Sequence, residues 1–126
     1  WGCLRDLGAD DGGIAVIPGS HRWGIQRVTI VDAENTRKNG AAVMRITDSG
    51  TFDSMDAYQF PIKRGQVIVF SNLLVHRSVP MKRGLVRWSF QVRHGNFAHS
   101  AAVKRLWPQG VLLGSPFDSV YPEYVD

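Results

Sequence analysis

The chain carries four histidines, His21, His76, His94 and His99, and one cysteine, Cys3. Histidine is the commonest metal ligand and the usual acid–base group near neutral pH. A metal site built from histidine and carboxylate needs two or three ligands converging from a defined spacing. His-x-Asp and His-x-Glu would place two ligands on one side of an extended chain. Neither occurs in these residues, nor does His-x-x-x-His, a Gly-x-Ser-x-Gly nucleophile elbow or a phosphate-binding glycine loop. Cys3 has Arg5 as its only nearby basic residue, so no activated thiol is expected there. His76 stands out, because it follows an apolar strand and precedes the turn Arg77-Ser78-Val79-Pro80. That position suits a group lining the mouth of a barrel. Taken alone, a structural or merely exposed histidine is the simpler reading. His21, in Pro18-Gly19-Ser20-His21, reads as a loop residue whose ring braces the turn.

Arg87 is the second candidate. It lies in Arg87-Trp88-Ser89-Phe90-Gln91-Val92-Arg93, where side chains of a strand alternate between two faces. Arg87, Ser89, Gln91 and Arg93 share one face, and Val86, Trp88, Phe90 and Val92 the other. Either the polar face meets water, or Arg87 points into a polar pocket while the aromatic face packs under a cover.

The elements that would position these residues are short strands punctuated by turns. Ile14-Ala15-Val16-Ile17 lies between Asp10-Asp11-Gly12-Gly13 and Pro18-Gly19. Gly65 to Phe70 forms a second strand after Lys63-Arg64, and Leu85 to Val92 a third after Lys82-Arg83-Gly84. Gly65 to Val92 is expected as two antiparallel strands joined by Leu74 to Gly84. Weaker strands fit Ala57 to Ile62 and Val43 to Ile46, and Arg27 to Ile30 is ambiguous. Short helices are expected at Ala33 to Asn39 and at Ser100 to Trp107, the latter with Ser100 as N-cap and Pro108 as stop. Strands dominate, which favours a sandwich or barrel.

Composition narrows the classes. The 126 residues are 44% hydrophobic and 21% charged, an ordinary globular balance that excludes intrinsic disorder. No apolar run is long enough to span a membrane as a helix. One cysteine excludes an internal disulfide and a multi-thiolate zinc site. With no signal peptide, a reducing cytoplasmic setting is expected. The net charge is +4. The basic pairs Arg37-Lys38, Lys63-Arg64, Lys82-Arg83 and Lys104-Arg105 fall near turns rather than on one face, so a nucleic-acid surface is not expected.

Several segments together resemble the phytanoyl-CoA dioxygenase-like proteins. Asp11-Gly12-Gly13-Ile14-Ala15-Val16-Ile17-Pro18-Gly19-Ser20-His21 is similar to that family's N-G-x-L-x-V-I-P-G-S-H segment. Gly65 to Phe70 resembles its G-D-x-x-x-F strand. His76-Arg77-Ser78 resembles its second iron-ligand motif, His-x-Ser, and Arg87 follows His76 at a spacing similar to the family's. The segments keep the family's order over Trp1 to Arg93. The resemblance implies a mainly β, double-stranded β-helix (jelly-roll) fold. It implies oxidation by O₂ with Fe(II) and 2-oxoglutarate, through a facial triad of two histidines and a carboxylate. His76 would be the second histidine ligand. Arg87 would clamp the distal carboxylate of 2-oxoglutarate, because a guanidinium fork matches a carboxylate bidentately. Ser78 would donate to the same carboxylate, and Trp1 would lie beside the cosubstrate.

The family's His-x-Asp motif precedes the segment matched by Trp1. The chain therefore reads as the C-terminal part of such a domain, residues 1–126 forming a single partial jelly roll that lacks its N-terminal portion. Alone, it is expected to be inactive. The substrate would be a small organic molecule. Arg27, Arg37 and Lys38 would suit an anionic one, although solvated loop charge explains them equally well. No nucleic-acid or membrane partner is expected, and oligomeric state is not legible. The alternative is a non-catalytic jelly-roll module that binds a small anion through Arg87. A nucleic-acid module would need Trp23, Trp88 and Trp107 exposed as stacking platforms, and their apolar neighbours argue against it.

Overall fold

The computed structural model describes residues 1–8, 11–31, 43–81, 84, 86–105 and 120–126. These form two compact units, one of Trp1–Gly24 with Asp53–Arg93 and one of Ile25–Phe52 with His94–Asp126. The described structure is mainly β, with few and short helices.

The first unit holds strands β1 (Gly2–Cys3), β2 (Ile14–Val16), β5 (Tyr58–Gln59), β6 (His76–Ser78) and β7 (Ser89–Phe90). β2 is the middle strand of a three-stranded antiparallel sheet, with β5 on one edge and β6 on the other. Its uninterrupted apolar run follows from that place, because a strand covered on both faces needs no polar alternation. Ile14, Ala15 and Val16 are all buried.

Residues 1–7 form the axis of the other ladder. Leu7 and Ile62 exchange backbone hydrogen bonds of 2.9 and 3.0 Å, and Gly2 bridges Val67. On its other side, β1 pairs antiparallel with β7. The Phe90 ring lies over Gly2, where a Cβ would sit 2.5 Å from it. Cys3, Leu7 and Ile62 form a buried apolar cluster, with Trp1 and Ile68 packed against it. The Cys3 thiol donates to the Arg5 carbonyl at 2.7 Å. Full burial of a side chain such as Leu or Ile contributes roughly 1.5–3 kcal/mol, so this cluster ties Trp1 and the 62–68 segment together.

This pairing corrects the expected arrangement of Gly65 to Val92. The Val67 and Ser89–Phe90 segments are both antiparallel to residues 1–3 and flank them, so they run parallel to each other. The stretch expected only to connect them contains β6, which pairs with β2 instead. Regular ladder structure is also shorter than the apolar runs: a bridge at Val67 within Gly65–Phe70, and two residues within Leu85–Val92.

The second unit contains the antiparallel pair β3 (Val28–Val31) and β4 (Val43–Ile46), and helix α2 (Ser100–Lys104). Helix α1 (Ser49–Asp53) precedes the return of the chain to the first unit. The N-cap of α2 is His99 rather than Ser100: the His99 Nδ1 accepts from the Ala101 amide at 3.2 Å. The expected helix at Ala33–Asn39, and Trp107 and Pro108 at the end of the other, lie outside the described residues. So do Arg37, Lys38, Lys82 and Arg83. No helix among the described residues is long and apolar enough to cross a membrane.

Arg27, a candidate for substrate charge, is engaged within this unit. Its Nε donates to Asp126 Oδ1 at 2.9 Å and its Nη1 to the Glu123 carbonyl at 2.9 Å. Thr47 also donates to Asp126, at 2.6 Å. Arg105 pairs with Glu123 at 2.9 Å and lies over the Tyr121 ring. The hydrogen bonds from Arg27 and then Thr47 hold the Asp126 carboxyl below its ordinary value, and that from Arg105 does the same for Glu123. A depressed carboxylate stabilises the fold above its unfolded pKa, near 4, and loses that contribution as pH falls through the folded value. Acidification below about pH 4 should therefore lower the melting temperature, and Asp126→Asn should reduce that dependence. Because these pairs are exposed, about 1 M salt should shrink the effect. Thermal melts across pH and salt measure it; an unchanged acid dependence in Asp126→Asn would remove the pair from the stability account.

Candidate functional site

Three of the residues nominated from sequence, His76, Ser78 and Arg87, attach to one short stretch, Gly12 to Val16. In the β2–β6 register His76 lies opposite Val16, Arg77 opposite Ala15 and Ser78 opposite Ile14. One step further, the Val79 amide donates to the Gly13 carbonyl at 3.0 Å. The Arg87 Nη1 donates to the Gly12 carbonyl and makes a longer contact, 3.5 Å, with that of Gly13. The Arg87 guanidinium carbon stands 5.7 Å from the centre of the Trp1 ring, within cation–π range. His76, Ser78, Arg87 and Trp1 thus belong to one unit: His76 and Ser78 pair with β2, Arg87 contacts its approach, and Trp1 joins through Arg87.

Gly12 makes this possible. It sits at φ +82°, in the left-handed region, and a Cβ there would lie 2.2 Å from Met81 Cγ. A side chain would therefore be strained in conformation and in space. The turn aims the Gly12 carbonyl at Arg87.

Arg87 is half-buried, whereas Trp88 is 71% exposed. The alternation is not carried along the strand: Arg87 alone is half-buried, while Ser89, Gln91 and Arg93 on its face are exposed, as are Val86, Trp88 and Val92 on the other, where Phe90 packs its ring over Gly2. Gly12 and Gly13 engage one of the guanidinium's terminal nitrogens. A guanidinium carries five N–H donors, so its fork retains donors for a carboxylate.

His76 is exposed on β6 and makes two side-chain contacts. Its Nδ1 lies 2.7 Å from the Leu74 carbonyl oxygen, and the Phe70 ring meets the imidazole edge-on at 5.0 Å between centres. A carbonyl can only accept, so Nδ1 carries the proton and Nε2 of the neutral ring keeps its lone pair. That is how ligating histidines are commonly oriented. Period-two geometry puts Ser78 on the same face of β6 as His76. Arg77, on the opposite face, pairs with Asp53 at 2.9 Å.

Two supports escaped the sequence reading. The sequence pattern marks Phe70 only as an apolar strand residue, whereas its ring packs against His76. The bracing of the Pro18–His21 turn falls to Ser20: its side chain is fully buried and its Oγ accepts from the Val75 amide at 2.8 Å, while His21 is exposed. The only advance signal was a small hydroxyl beside a turn.

Arg87 and Ser78 offer charge-assisted and hydroxyl donors suited to an anion. His76 offers one imidazole nitrogen. Among the described residues, no group of three or more histidine, cysteine, aspartate or glutamate side chains is placed to hold a metal ion.

A family model of phytanoyl-CoA dioxygenase matches residues 1–87, a span that includes all four residues. The chain belongs to the phytanoyl-CoA dioxygenase family. A curated relative from Dictyostelium discoideum, a phytanoyl-CoA dioxygenase domain-containing protein 1 homolog, is 26% identical over 80 residues, covering 64% of this chain. The match spans 28% of that protein's length. No solved structure matches the chain. Within this member of the phytanoyl-CoA dioxygenase family, the Gly12 turn is the feature most open to test. Gly12→Ala should destabilise the fold by about 1–2 kcal/mol from the left-handed backbone alone. Gly13→Ala should be near neutral, because nothing lies within 4 Å of a Cβ there. Urea unfolding compares the two; equal stabilities would contradict the turn geometry.

Proposed function

We propose that the chain is part of an iron(II)- and 2-oxoglutarate-dependent dioxygenase with a jelly-roll fold, acting as a hydroxylase on a small organic substrate. Family membership supports the reaction class. The observation that carries the reading is the half-buried Arg87 guanidinium, anchored on Gly12 and lying over Trp1, next to the strand pair that bears His76 and Ser78. In this reading Arg87 receives the distal carboxylate of 2-oxoglutarate through its fork. Ser78 adds a hydroxyl hydrogen bond, and Trp1 forms a wall beside the cosubstrate.

For the metal, the described residues fit one coordination position, the Nε2 of His76. One imidazole cannot fix a facial geometry. The reading therefore requires two further ligands, which the resemblance assigns to a His-x-Asp motif upstream of Trp1 in sequence. Iron(II), when bound, supplies the redox chemistry of O₂. The contribution of this chain is to hold His76 in one tautomer, to orient the cosubstrate by its far carboxylate and to neutralise that charge. The substrate's identity lies with the loops around the site, since variable loops on a rigid scaffold set selectivity.

Arg87→Ala in the full-length protein should weaken 2-oxoglutarate binding by roughly 2–5 kcal/mol, the usual cost of truncating one partner of a buried charge pair. Arg87→Lys should recover only part, because an ammonium cannot form the fork. Arg93→Ala should change little, since Arg93 is exposed and bonds Gln91. Anaerobic calorimetry of 2-oxoglutarate binding measures all three. Equal affinity in the wild type and Arg87→Ala would overturn the assignment. Binding that needs Arg87 but no metal, with no turnover, would favour the anion-binding module.

A further inference from the structure

We propose that Ser20 is a positioning residue for His76, acting through a single peptide plane; this rests on the reading of His76 as a metal ligand. Ser20 is the one buried polar side chain among the described residues, in a 3₁₀ turn spanning Ser20–Trp23. Its Oγ accepts from the Val75 N–H at 2.8 Å. The Val75 carbonyl in turn accepts from the Ile17 amide at 3.0 Å, and the Ser20 amide donates to the Ile17 carbonyl at 3.2 Å. The turn therefore grips Val75 at both its donor and its acceptor.

The Val75 N–H and the Leu74 C=O belong to the same peptide group. That group is planar and trans, so its N–H and C=O point in opposite directions within one plane. Fixing the N–H on Ser20 fixes the direction of the Leu74 carbonyl. The same carbonyl accepts from His76 Nδ1 at 2.7 Å. The path is Ser20 Oγ, Val75 N–H, Leu74 C=O and His76 Nδ1–H. Hydrogen bonds in such a chain polarise one another. Its far end is His76 Nε2, whose lone pair is left to the metal with a fixed ring orientation. Loss of the Ser20 hydroxyl removes the acceptor that orients this plane, and the ring gains freedom to rotate and to exchange tautomers.

The test uses the full-length protein and two readouts. The first is nitrogen-15 NMR of the His76 ring at a pH where it is neutral, without metal. The wild type should show the Nδ1–H tautomer and a Val75 amide protected from hydrogen exchange. Ser20→Ala should show a mixed tautomer. The second is titration with Co(II) as a stand-in for iron: Ser20→Ala should bind about 10–100-fold more weakly, the usual effect of removing a partner that orients a metal ligand, while His21→Ala should match the wild type. A folded Ser20→Ala that keeps both the tautomer and the affinity would overturn the proposal. If Ser20→Ala fails to fold, a fast-exchanging Val75 amide or a mixed tautomer in the wild type overturns it instead. His76→Ala, titrated in parallel, separates the two claims. Retained Co(II) affinity there would sink the ligand reading, while the tautomer readout would still judge the role of Ser20.

Discussion

The backbone carbonyls of Gly12 and Gly13 are the fixed points on which the site depends. The Gly13 oxygen receives the end of the His76-bearing strand through the Val79 amide, and the Gly12 oxygen receives Arg87. Both carbonyls sit where the buried strand Ile14–Val16 begins. That strand holds its position because it is covered by strands on both edges and buried on both faces. A cationic side chain with a long flexible stem needs such an anchor before it can serve as a clamp. Without it, the rotamer entropy of Arg87, about 2 kcal/mol, would oppose any single bound geometry.

The sequence made the residues legible more readily than their pairing. Turn residues on both sides of Ile14–Val16 marked that strand, and the structure has it. The polar–apolar alternation around Arg87 left two possible orientations. In the structure Arg87 is half-buried, but Ser89, Gln91 and Arg93 on the same face are exposed, so the period-two pattern does not extend along the strand. The strand partners were not legible. Adjacent strands in sequence suggest a hairpin, yet residues 1–3 intervene between the Val67 and Ser89–Phe90 segments. A two-residue strand such as Gly2–Cys3 has no periodicity to read. Its contacts, the Cys3–Leu7–Ile62 cluster on one side and the Phe90 ring over Gly2 on the other, are long-range ones that no local pattern records. The cap of α2 lies one residue before the expected one because a histidine nitrogen can accept a backbone N–H as a serine oxygen does.

The surroundings of His76 show the same limit. His76 was found by its place at a strand end and by resemblance. Phe70 and the Leu74 carbonyl come from the stretch just before His76, but Ser20, which bonds Val75, lies 55 residues away, in a segment that sequence alone gives no reason to connect. The charge that looked available for an anionic substrate at Arg27 is instead committed to Asp126 and the Glu123 carbonyl. Positive charge for a ligand is therefore better sought at Arg87, where burial lowers the screening by water.

The central claim is that His76 and Arg87 serve one site, so that metal and cosubstrate bind as neighbours. Two ligands that share a site must strengthen each other reciprocally. The direct measurement is the affinity of the full-length protein for 2-oxoglutarate under anaerobic conditions, with and without Fe(II), in the wild type and in His76→Ala. The account predicts that iron tightens 2-oxoglutarate binding by about tenfold or more in the wild type, and that His76→Ala loses this gain. Equal affinity with and without iron, or a gain that survives His76→Ala, would contradict it.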